Sequence, residues 1–198
     1  DFEHADALLR LMDDTEAELV FHCSGLAHGH QNLEHVLPTM HSNLMSTTNL
    51  LIAAARHGGC PVVLAGSMEE ATRPGDDKEP RSPYAASKEA CDIYAKLFRN
   101  LYDVPVVNAR IFMTYGPGLY KLEKLLPYTI ISLANGVAPR LGAGLRKIDW
   151  VYIDDVAEGL LRSAFAKGKH AKRVDIGSGK VVSIRSLVNK IANIMDSS

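Results

Sequence analysis

The sequence predicts an α/β fold built on a parallel sheet. Apolar segments of strand length alternate with helical patterns along the chain, and this alternation is typical of parallel crossover units. The run VVLA at 62–65 contains no polar residue, as expected of a strand that is buried on both faces of a sheet. A chain of 198 residues is long enough to bury a sizeable core around such a sheet.

The same patterns give approximate bounds for each element. Strands are predicted at Glu18–Cys23, Cys60–Ala65, Pro105–Phe112, Trp150–Ile153 and Arg173–Ile176. Helices are predicted after the opening turn, at about Thr39–His57, Pro83–Tyr102, Leu122–Asn135 and Asp155–Ala166, and from about Ser183. Ser82, Ser183 and either Asp154 or Asp155 suit helix N-caps, because short polar side chains accept hydrogen bonds from the first N–H groups. The polar stretch Glu69–Arg81 is predicted to be a loop that covers or borders a site.

Composition excludes several classes of partner. The 22 Lys and Arg residues balance 23 Asp and Glu without a basic run, so nothing predicts binding to nucleic acid or to an anionic membrane. No apolar run approaches the roughly 18 residues of a membrane span, and no signal peptide is visible. Cys23, Cys60 and Cys91 are scattered, which indicates neither a disulfide framework nor a zinc site. We therefore expect a cytoplasmic protein, and an anionic small molecule remains a possible ligand.

The stretch SPYAASKEA (Ser82–Ala90) carries a possible proton-transfer pair. With Ser82 as N-cap and Pro83 as the first helical residue, Tyr84 and Lys88 lie one turn apart on one helix face. An ammonium group close to a phenol favours the phenolate and lowers the phenol's pKa. Such a tyrosine can exchange a proton with a substrate hydroxyl or carbonyl while a hydride moves at the adjacent carbon.

The apolar pattern of this helix predicts which faces are buried. The core face is predicted to consist of Ala90, Ile93, Tyr94, Leu97, Phe98 and Leu101, and the solvent face of Glu89, Asp92, Lys96 and Arg99. Tyr84 and Lys88 would then lie at the border, where a cleft wall would be. Cys91 shares their face and is interpreted as a packing residue.

Context separates this pair from similar spacings elsewhere. Ser67 follows the buried strand and supplies a second hydroxyl at the carboxyl end of the sheet, where α/β folds place ligands. Tyr120 and Lys124 have the same spacing but follow GPG within an amphipathic segment, and we interpret them as solvated or packing residues. His28 and His30 lack an apparent third ligand, so no metal site is predicted.

Six segments, in order, resemble one family. They are FHCSG (Phe21–Gly25), Asn43 in NLMSTTNLL, GSMEE with Ser67, the Tyr84 and Lys88 pair, ARIFMTYGPG and DWVYIDDVAEG, and the tail VDIGSGKVVSIRSL follows them. The chain resembles the extended short-chain dehydrogenase/reductases, specifically the NAD-dependent epimerase/dehydratase group that acts on nucleotide sugars. This resemblance implies a Rossmann-type, doubly wound parallel sheet. Residues 1–113 would form the cofactor-binding core, and residues 114–198 would form a substrate-binding part that returns one strand and one helix to the core.

The resemblance also implies roles for individual residues. Tyr84 would be the acid/base, Lys88 would hold the cofactor ribose and tune Tyr84, and Ser67 would orient the substrate oxygen. The cofactor would be NAD or NADP, with NAD preferred. Besides Tyr84 and Lys88 it would contact Asp1, Phe2, Cys23, Ser24, Gly25, Asn43 and Ile111. Substrate would contact Ser67, Met113, Arg140 and Arg146, with the arginine forks suited to diphosphate. The helices at Thr39–His57 and Pro83–Tyr102 resemble a dimer contact, which implies a homodimer.

The chain departs from the family pattern in ways that keep alternatives open. The amino-terminal unit with the glycine-rich phosphate loop is absent, so the resemblance implies an N-terminally truncated domain. Met113 and Ile148 stand where many relatives have Asn and Arg. Glu69 sits where dehydratases carry a proton-abstracting carboxylate, but it also suits a solvated loop, and epimerisation is slightly favoured. A ketone or aldehyde reductase, which exposed Arg140 and Arg146 would favour, and a non-catalytic binding protein or inactive fragment are the alternatives.

Overall fold

The computed structural model describes residues 4–70, 79–165 and 172–196. The chain divides into two compact units, one made of Asp1–Ile111 and Glu158–Ile176, the other of Phe112–Ala157 and Gly177–Ser198. Within the described ranges, no helix combines the length and apolarity needed to cross a membrane.

The elements alternate much as the sequence predicts. The strands are β1 (Val20–His22), β2 (Val62–Ser67), β3 (Val106–Ile111), β4 (Met113–Tyr115), β5 (Lys147–Tyr152), β6 (Arg173–Ile176) and β7 (Val181–Ser183). The helices are α1 (Ala5–Asp14), α2 (Val36–Thr39), α3 (Ser46–Arg56), α4 (Pro83–Leu101), α5 (Leu125–Ala134), α6 (Ile153–Ala164) and α7 (Ile184–Asp196). A 3₁₀ turn, Leu33–His35, leads into α2, and a π-helical turn, Met40–Met45, joins α2 to α3.

The first unit is built on a parallel four-stranded sheet in the order β1-β2-β3-β6. Val62 pairs with Val20 on one side and with Val106 on the other. Val62 and Val63 are almost fully buried, which confirms the prediction of a strand covered on both faces. Helix α1 packs against α3 and buries Leu8 and Met12 in the same core.

The buried face of α4 is not the predicted one. Phe98 is buried as predicted, but Ile93 and Leu101 are 58% and 65% exposed, whereas Cys91, Asp92 and Ala95 are buried. Asp92 was predicted to face solvent, but it is buried because Asn108 and Lys96 bind its carboxylate. The side of α4 that carries Tyr84 thus faces inward, and an apolar stripe made of Ile93, Leu97 and Leu101 is exposed.

The second unit contains a smaller mixed sheet in the order β4-β5-β7, in which β4 pairs parallel and β7 antiparallel to β5. The buried Asp149 carboxylate accepts hydrogen bonds from the Ser178 and Gly179 backbone N–H groups at 2.8 and 2.9 Å. Two of the quoted motifs, DWVYIDDVAEG and the IGSG tail, therefore meet at one turn.

Helix starts in the second unit test the predicted N-caps. Ser183 caps α7, because its hydroxyl accepts from the Ser186 N–H at 3.1 Å. The prediction for α6 was wrong, since the helix begins at Ile153 and both Asp154 and Asp155 lie in its first turn. Strands β4 and β7 were not predicted, because three residues are too few to show a period.

Candidate active site

The amino-terminal turn of α4 fixes the position of Tyr84 and Lys88. The Ser82 hydroxyl accepts a hydrogen bond from the Ala85 N–H at 3.1 Å, and Pro83 is the first helical residue, as predicted. Tyr84 and Lys88 are partly buried. The cap therefore holds the two side chains on an ordered helix start.

Ser67 and Tyr84 meet although they belong to different elements. Ser67 is the last residue of β2 and is 6% exposed. Its side chain lies close enough to the Tyr84 phenol to oppose the rise of the phenol's pKa, and its hydroxyl accepts a hydrogen bond from the Glu69 N–H at 3.2 Å. The predicted serine and tyrosine therefore lie beside each other at the carboxyl end of the parallel sheet.

Lys88 is anchored to the backbone of the central strand. Its ammonium donates to the Ala65 carbonyl oxygen at 2.8 Å, and burial lowers its pKa. An ammonium has three N–H donors, and among the described residues Ala65 takes one of them. Lys88 thus has the capacity to bind a ligand hydroxyl while it stays fixed.

The pKa of the Tyr84 phenol is raised, not lowered as the paired lysine predicted. Burial is the main cause, the side chain of Ser67 opposes it, and the negative charges of Glu69 and Glu70 add to it. The neutral phenol is therefore the form that this structure favours. In this form the phenol can donate a proton but is a weak base.

His22 adds a polar group that the predicted site residues did not include. It ends β1, is buried, and its ring Nε2 lies 3.1 Å from the Thr47 hydroxyl. Burial, with a smaller contribution from the positive charge of Lys88, lowers the pKa of His22 to about 4. The ring is therefore neutral near pH 7 and takes part in hydrogen bonding without adding charge.

The predicted cofactor residues other than Asn43, Tyr84 and Lys88 fall into three groups. Cys23, Ser24 and Gly25 directly follow β1 and are exposed, and Ile111 is the half-buried last residue of β3. The carboxyl ends of β1, β2 and β3 are neighbours in the sheet, so these residues lie on the edge that carries Ser67. Asp1 and Phe2 lie outside the described residues.

Asn43 is a buried residue whose side chain clamps the loop after β1 to α4 by hydrogen bonds. It is 1% exposed, and its amide accepts from the Leu26 N–H at 2.8 Å. It also donates to the Leu26 carbonyl at 3.0 Å and to the Ser87 hydroxyl at 2.9 Å. Gly25, with φ of +140°, has no room for a side chain, because a Cβ would lie 2.6 Å from the Asn43 oxygen. The clamp joins the loop after β1 to the first turns of α4, and its contact with a cofactor stays a prediction.

Glu69 borders the proton-transfer pair. Its side chain is exposed, and one carboxylate oxygen accepts from the Ser82 hydroxyl at 3.5 Å. Its charge is one of those that raise the pKa of Tyr84. Glu69 is therefore solvated, as the loop pattern predicted, and also within electrostatic reach of the phenol.

The predicted substrate residues Met113, Arg140 and Arg146 belong to the second unit. Met113 is half-buried in β4, whereas Arg140 and Arg146 are exposed. This unit contains an apolar cavity of about 880 Å³ beside Trp150, α5 and α7, and neither arginine lines it.

The parallel α/β sheet, with Ser67 at the end of β2 and with Tyr84 and Lys88 on α4, is the arrangement that the resemblance to short-chain dehydrogenase/reductases predicts. A sequence model described as the NAD dependent epimerase/dehydratase family matches residues 1–177. The chain belongs to that family.

Relatives and solved structures agree with this assignment. The chain is 30% identical over 177 residues to a dTDP-glucose 4,6-dehydratase of Streptomyces griseus, covering 85% of this chain and 53% of that protein. It is 26% identical over 197 residues to the dTDP-D-glucose 4,6-dehydratase of Homo sapiens, covering 94% of this chain and 55% of that one.

Among solved structures, the dTDP-glucose 4,6-dehydratase of Streptomyces venezuelae with NAD bound superposes with a TM-score of 0.83 at 26% identity, covering 99% of this chain and 62% of that one. A UDP-glucose 4-epimerase of Thermotoga maritima has a TM-score of 0.86 at 20% identity, covering 99% of this chain and 67% of that one, and shows a shared fold. The chain thus spans about half the length of the sequence relatives that it matches.

Proposed function

We propose that the protein is an NAD-dependent epimerase or dehydratase of a nucleotide sugar. The observation that carries this proposal is the position of Lys88, bound to β2 at Ala65, one helical turn after Tyr84, with Ser67 at the end of the same strand beside the phenol. Membership of the epimerase/dehydratase family supports it. So do the nucleotide-sugar enzymes among the relatives.

Each group at the sheet edge then has a defined task. Ser67 would hold the reacting sugar oxygen, and Tyr84 would accept the proton of that hydroxyl as it becomes a ketone and return it later. The raised pKa of Tyr84 means that the phenol needs a nearby positive charge to work as a base. When substrate is bound, the ammonium of Lys88, on the same helix face, would supply that positive charge.

The residues at the edge fit a nicotinamide cofactor. The exposed backbone of Cys23, Ser24 and Gly25 leaves room for a ligand along the ends of the strands, and Lys88 retains donors for ribose hydroxyl groups. NAD, which is present in solved relatives, would supply hydride acceptance and return at one sugar carbon. We prefer NAD to NADP on this basis.

Dehydration is favoured over epimerisation by the position of Glu69. A dehydratase needs a base that removes the proton from the carbon next to the new ketone, so that water can leave. Glu69 is exposed at the end of β2, and its charge acts on the Tyr84 phenol. Relatives named as dTDP-glucose 4,6-dehydratases point the same way.

The exposure of Arg140 and Arg146 is the observation that favours a simple ketone or aldehyde reductase. Such an enzyme needs no diphosphate contact. The nucleotide-sugar assignment rests instead on the relatives and on Glu69, which a reductase would not require. Analysis of products decides between them.

Product analysis with candidate nucleotide sugars tests the proposal. The full-length natural protein would be incubated with NAD and either dTDP-glucose or UDP-glucose, and the products followed by proton NMR. We expect a keto sugar with a new methyl signal, which marks loss of water. An isomer of unchanged mass would show an epimerase instead. Reduction of simple ketones with NADH, without conversion of either nucleotide sugar, would contradict the proposal.

We also infer a homodimer formed through α4 and the helical segment before α3. Ile93 and Leu101 of α4 and Leu37 of α2 are 58%, 65% and 64% exposed, which leaves apolar side chains of neighbouring helices uncovered in one chain. A second copy of the same faces would cover them. Free thiols at all three cysteines fit the reducing cytoplasm in which we place the protein.

Sedimentation equilibrium of a charged variant tests the dimer. Leu97→Asp places a carboxylate in the exposed apolar stripe of α4, and we expect it to convert a dimer into monomers. Leu161→Asp is the matched control, since Leu161 is 52% exposed on a different helix, α6. A wild-type monomer, or a Leu97→Asp variant that remains dimeric, would exclude this interface.

A further inference from the structure

Glu70 is a buried carboxylate directly after the strand that carries Ser67. The residue is 3% exposed, and its side chain is 1% exposed. Burial of an ionisable side chain is costly unless hydrogen bonds or charges compensate for it. A glutamate in this position therefore calls for a specific structural reason, which its contacts supply.

Both oxygens of the carboxylate bind groups of the central strands. Oε1 accepts a hydrogen bond from the Ser67 N–H at 2.6 Å, and Oε2 accepts from the Asn108 side-chain amide at 2.8 Å. The Glu70 N–H in turn donates to the Ser67 carbonyl oxygen at 3.1 Å. The side chain and backbone of Glu70 thus hold both backbone polar groups of Ser67.

The strand beside Glu70 is shaped to receive this carboxylate. Gly66 precedes Ser67, and a Cβ at Gly66 would lie 2.7 Å from Glu70 Oε1 and 2.2 Å from Asn108 Oδ1. These separations are shorter than atomic contact allows. The glycine is therefore required by the carboxylate and amide that pack against β2.

The carboxylate of Asp92 and the guanidinium of Arg173 join Glu70 and Asn108 in a polar frame of four buried or half-buried side chains. The Asn108 amide nitrogen donates its two hydrogens to Glu70 and to Asp92, the latter at 2.9 Å. Arg173 of β6 lies 3.6 Å from Glu70 and 4.0 Å from Asp92. Residues from the loop after β2, from α4, from β3 and from β6 are thereby fixed to one another.

We propose that Glu70 is a positioning residue for the proposed reaction: its buried carboxylate fixes the backbone of Ser67, and through it the hydroxyl beside the Tyr84 phenol. This inference rests on the proposed function. The Ser67 side chain lies close to the phenol, so a shift of the Ser67 backbone changes that separation. Glu70 acts behind the site and does not touch substrate.

Glu70 also acts electrostatically on Tyr84 and Lys88. Burial raises the pKa of Glu70, the bonds from Ser67 and Asn108 oppose this, and Asp92 adds to it while Arg173 opposes it. The charge of Glu70 adds to the raised pKa of Tyr84, and it partly opposes the lowering of the pKa of Lys88 by burial. The pKa of Asp92, by contrast, is lowered: its burial acts upward, but the bonds with Lys96 and Asn108 outweigh it. Glu70 is thus the carboxylate of this frame that protonates first as the pH falls.

An NMR titration of the wild-type protein tests the contact without any assay of activity. The Glu70 carboxyl carbon and the Ser67 amide resonance should titrate with one midpoint, above the ordinary pKa of a glutamate. The Ser67 amide should lose this transition in Glu70→Gln. Separate midpoints, or a Ser67 amide that does not respond, would overturn the proposal.

Variants then separate positioning from a merely structural role. Glu70→Gln keeps one oxygen for the Ser67 N–H but removes the charge, so we expect the Tyr84 phenol, labelled at its ring carbon, to titrate at lower pH than in wild type. Glu89→Gln is the matched control, because Glu89 lies on α4 with Tyr84, and it should leave the titration midpoint of Tyr84 unchanged. An unchanged midpoint in Glu70→Gln would also contradict the proposal.

Activity supplies the last comparison. Glu70→Ala should lower kcat about tenfold or more with little change in KM, and Glu70→Gln should recover most of that loss. Equal kcat values in wild type and Glu70→Ala would overturn the positioning role. If no nucleotide sugar is converted by the wild-type protein, the proposed function fails, while the NMR titrations still decide the role of Glu70.

Discussion

Replacement of Tyr84 by phenylalanine should lower turnover of a nucleotide sugar by about 10²-fold to 10⁴-fold, the range typical of a lost acid/base group. In the proposed reaction the phenol exchanges a proton with the reacting hydroxyl, and the phenol lies near Ser67 at the sheet edge. Phenylalanine keeps the ring and removes only the oxygen. Steady-state kinetics of the full-length natural protein would measure the loss, and thermal unfolding would show that the fold is kept.

Tyr120 provides the matched control. It precedes Lys124 by the same four positions as Tyr84 precedes Lys88, but it is 86% exposed. Tyr120→Phe should therefore turn over at the wild-type rate. Comparable losses in both variants would show that neither phenol is specific, and a fully active Tyr84→Phe would refute the proton-transfer role.

Replacement of Glu69 by glutamine should separate oxidation from dehydration. Glutamine cannot remove the proton next to the ketone, so formation of the keto product with its new methyl group should fall about 10²-fold or more. Oxidation of the sugar depends on Tyr84 and should persist. Loss of the negative charge should also lower the pKa of Tyr84, since Glu69 raises it in the wild type.

Rapid-quench analysis of the sugar would measure each stage in Glu69→Gln. A ketone that accumulates without loss of water is the expected result. Glu79→Gln is a suitable control, because Glu79 is an exposed glutamate further along the same polar stretch. Unimpaired dehydration by Glu69→Gln would show that Glu69 is not the base, and epimerisation would then be the preferred reaction.

Local patterns were enough to place the proton-transfer pair. The sequence SPY predicts an N-cap followed by proline at the first helical position, and the structure confirms both. The run of apolar residues likewise predicted a strand at Cys60–Ala65, and in the structure that strand covers Val62–Ser67. These features depend on neighbours within a few residues, which is the range that sequence patterns report.

Long-range contacts explain what the sequence did not predict. The apolar pattern of α4 placed Ile93 and Leu101 in the core, but they are exposed, and Asp92 is buried instead, where its carboxylate accepts a hydrogen bond from Asn108 of β3. The sequence placed Glu70 in a polar loop and gave no sign of its burial, because its partners, Asn108 and Arg173, are distant in the chain. Polar burial of this kind leaves no periodic signal.

The most direct measurement is reduction of bound NAD on addition of dTDP-glucose, followed by the absorbance of reduced nicotinamide in a single turnover. We expect a transient rise in this absorbance in the full-length natural protein and in Tyr120→Phe, and its near-complete loss in Tyr84→Phe. An absorbance that stays flat in wild-type protein with NAD and nucleotide sugar bound, or that rises equally in Tyr84→Phe, would contradict the account.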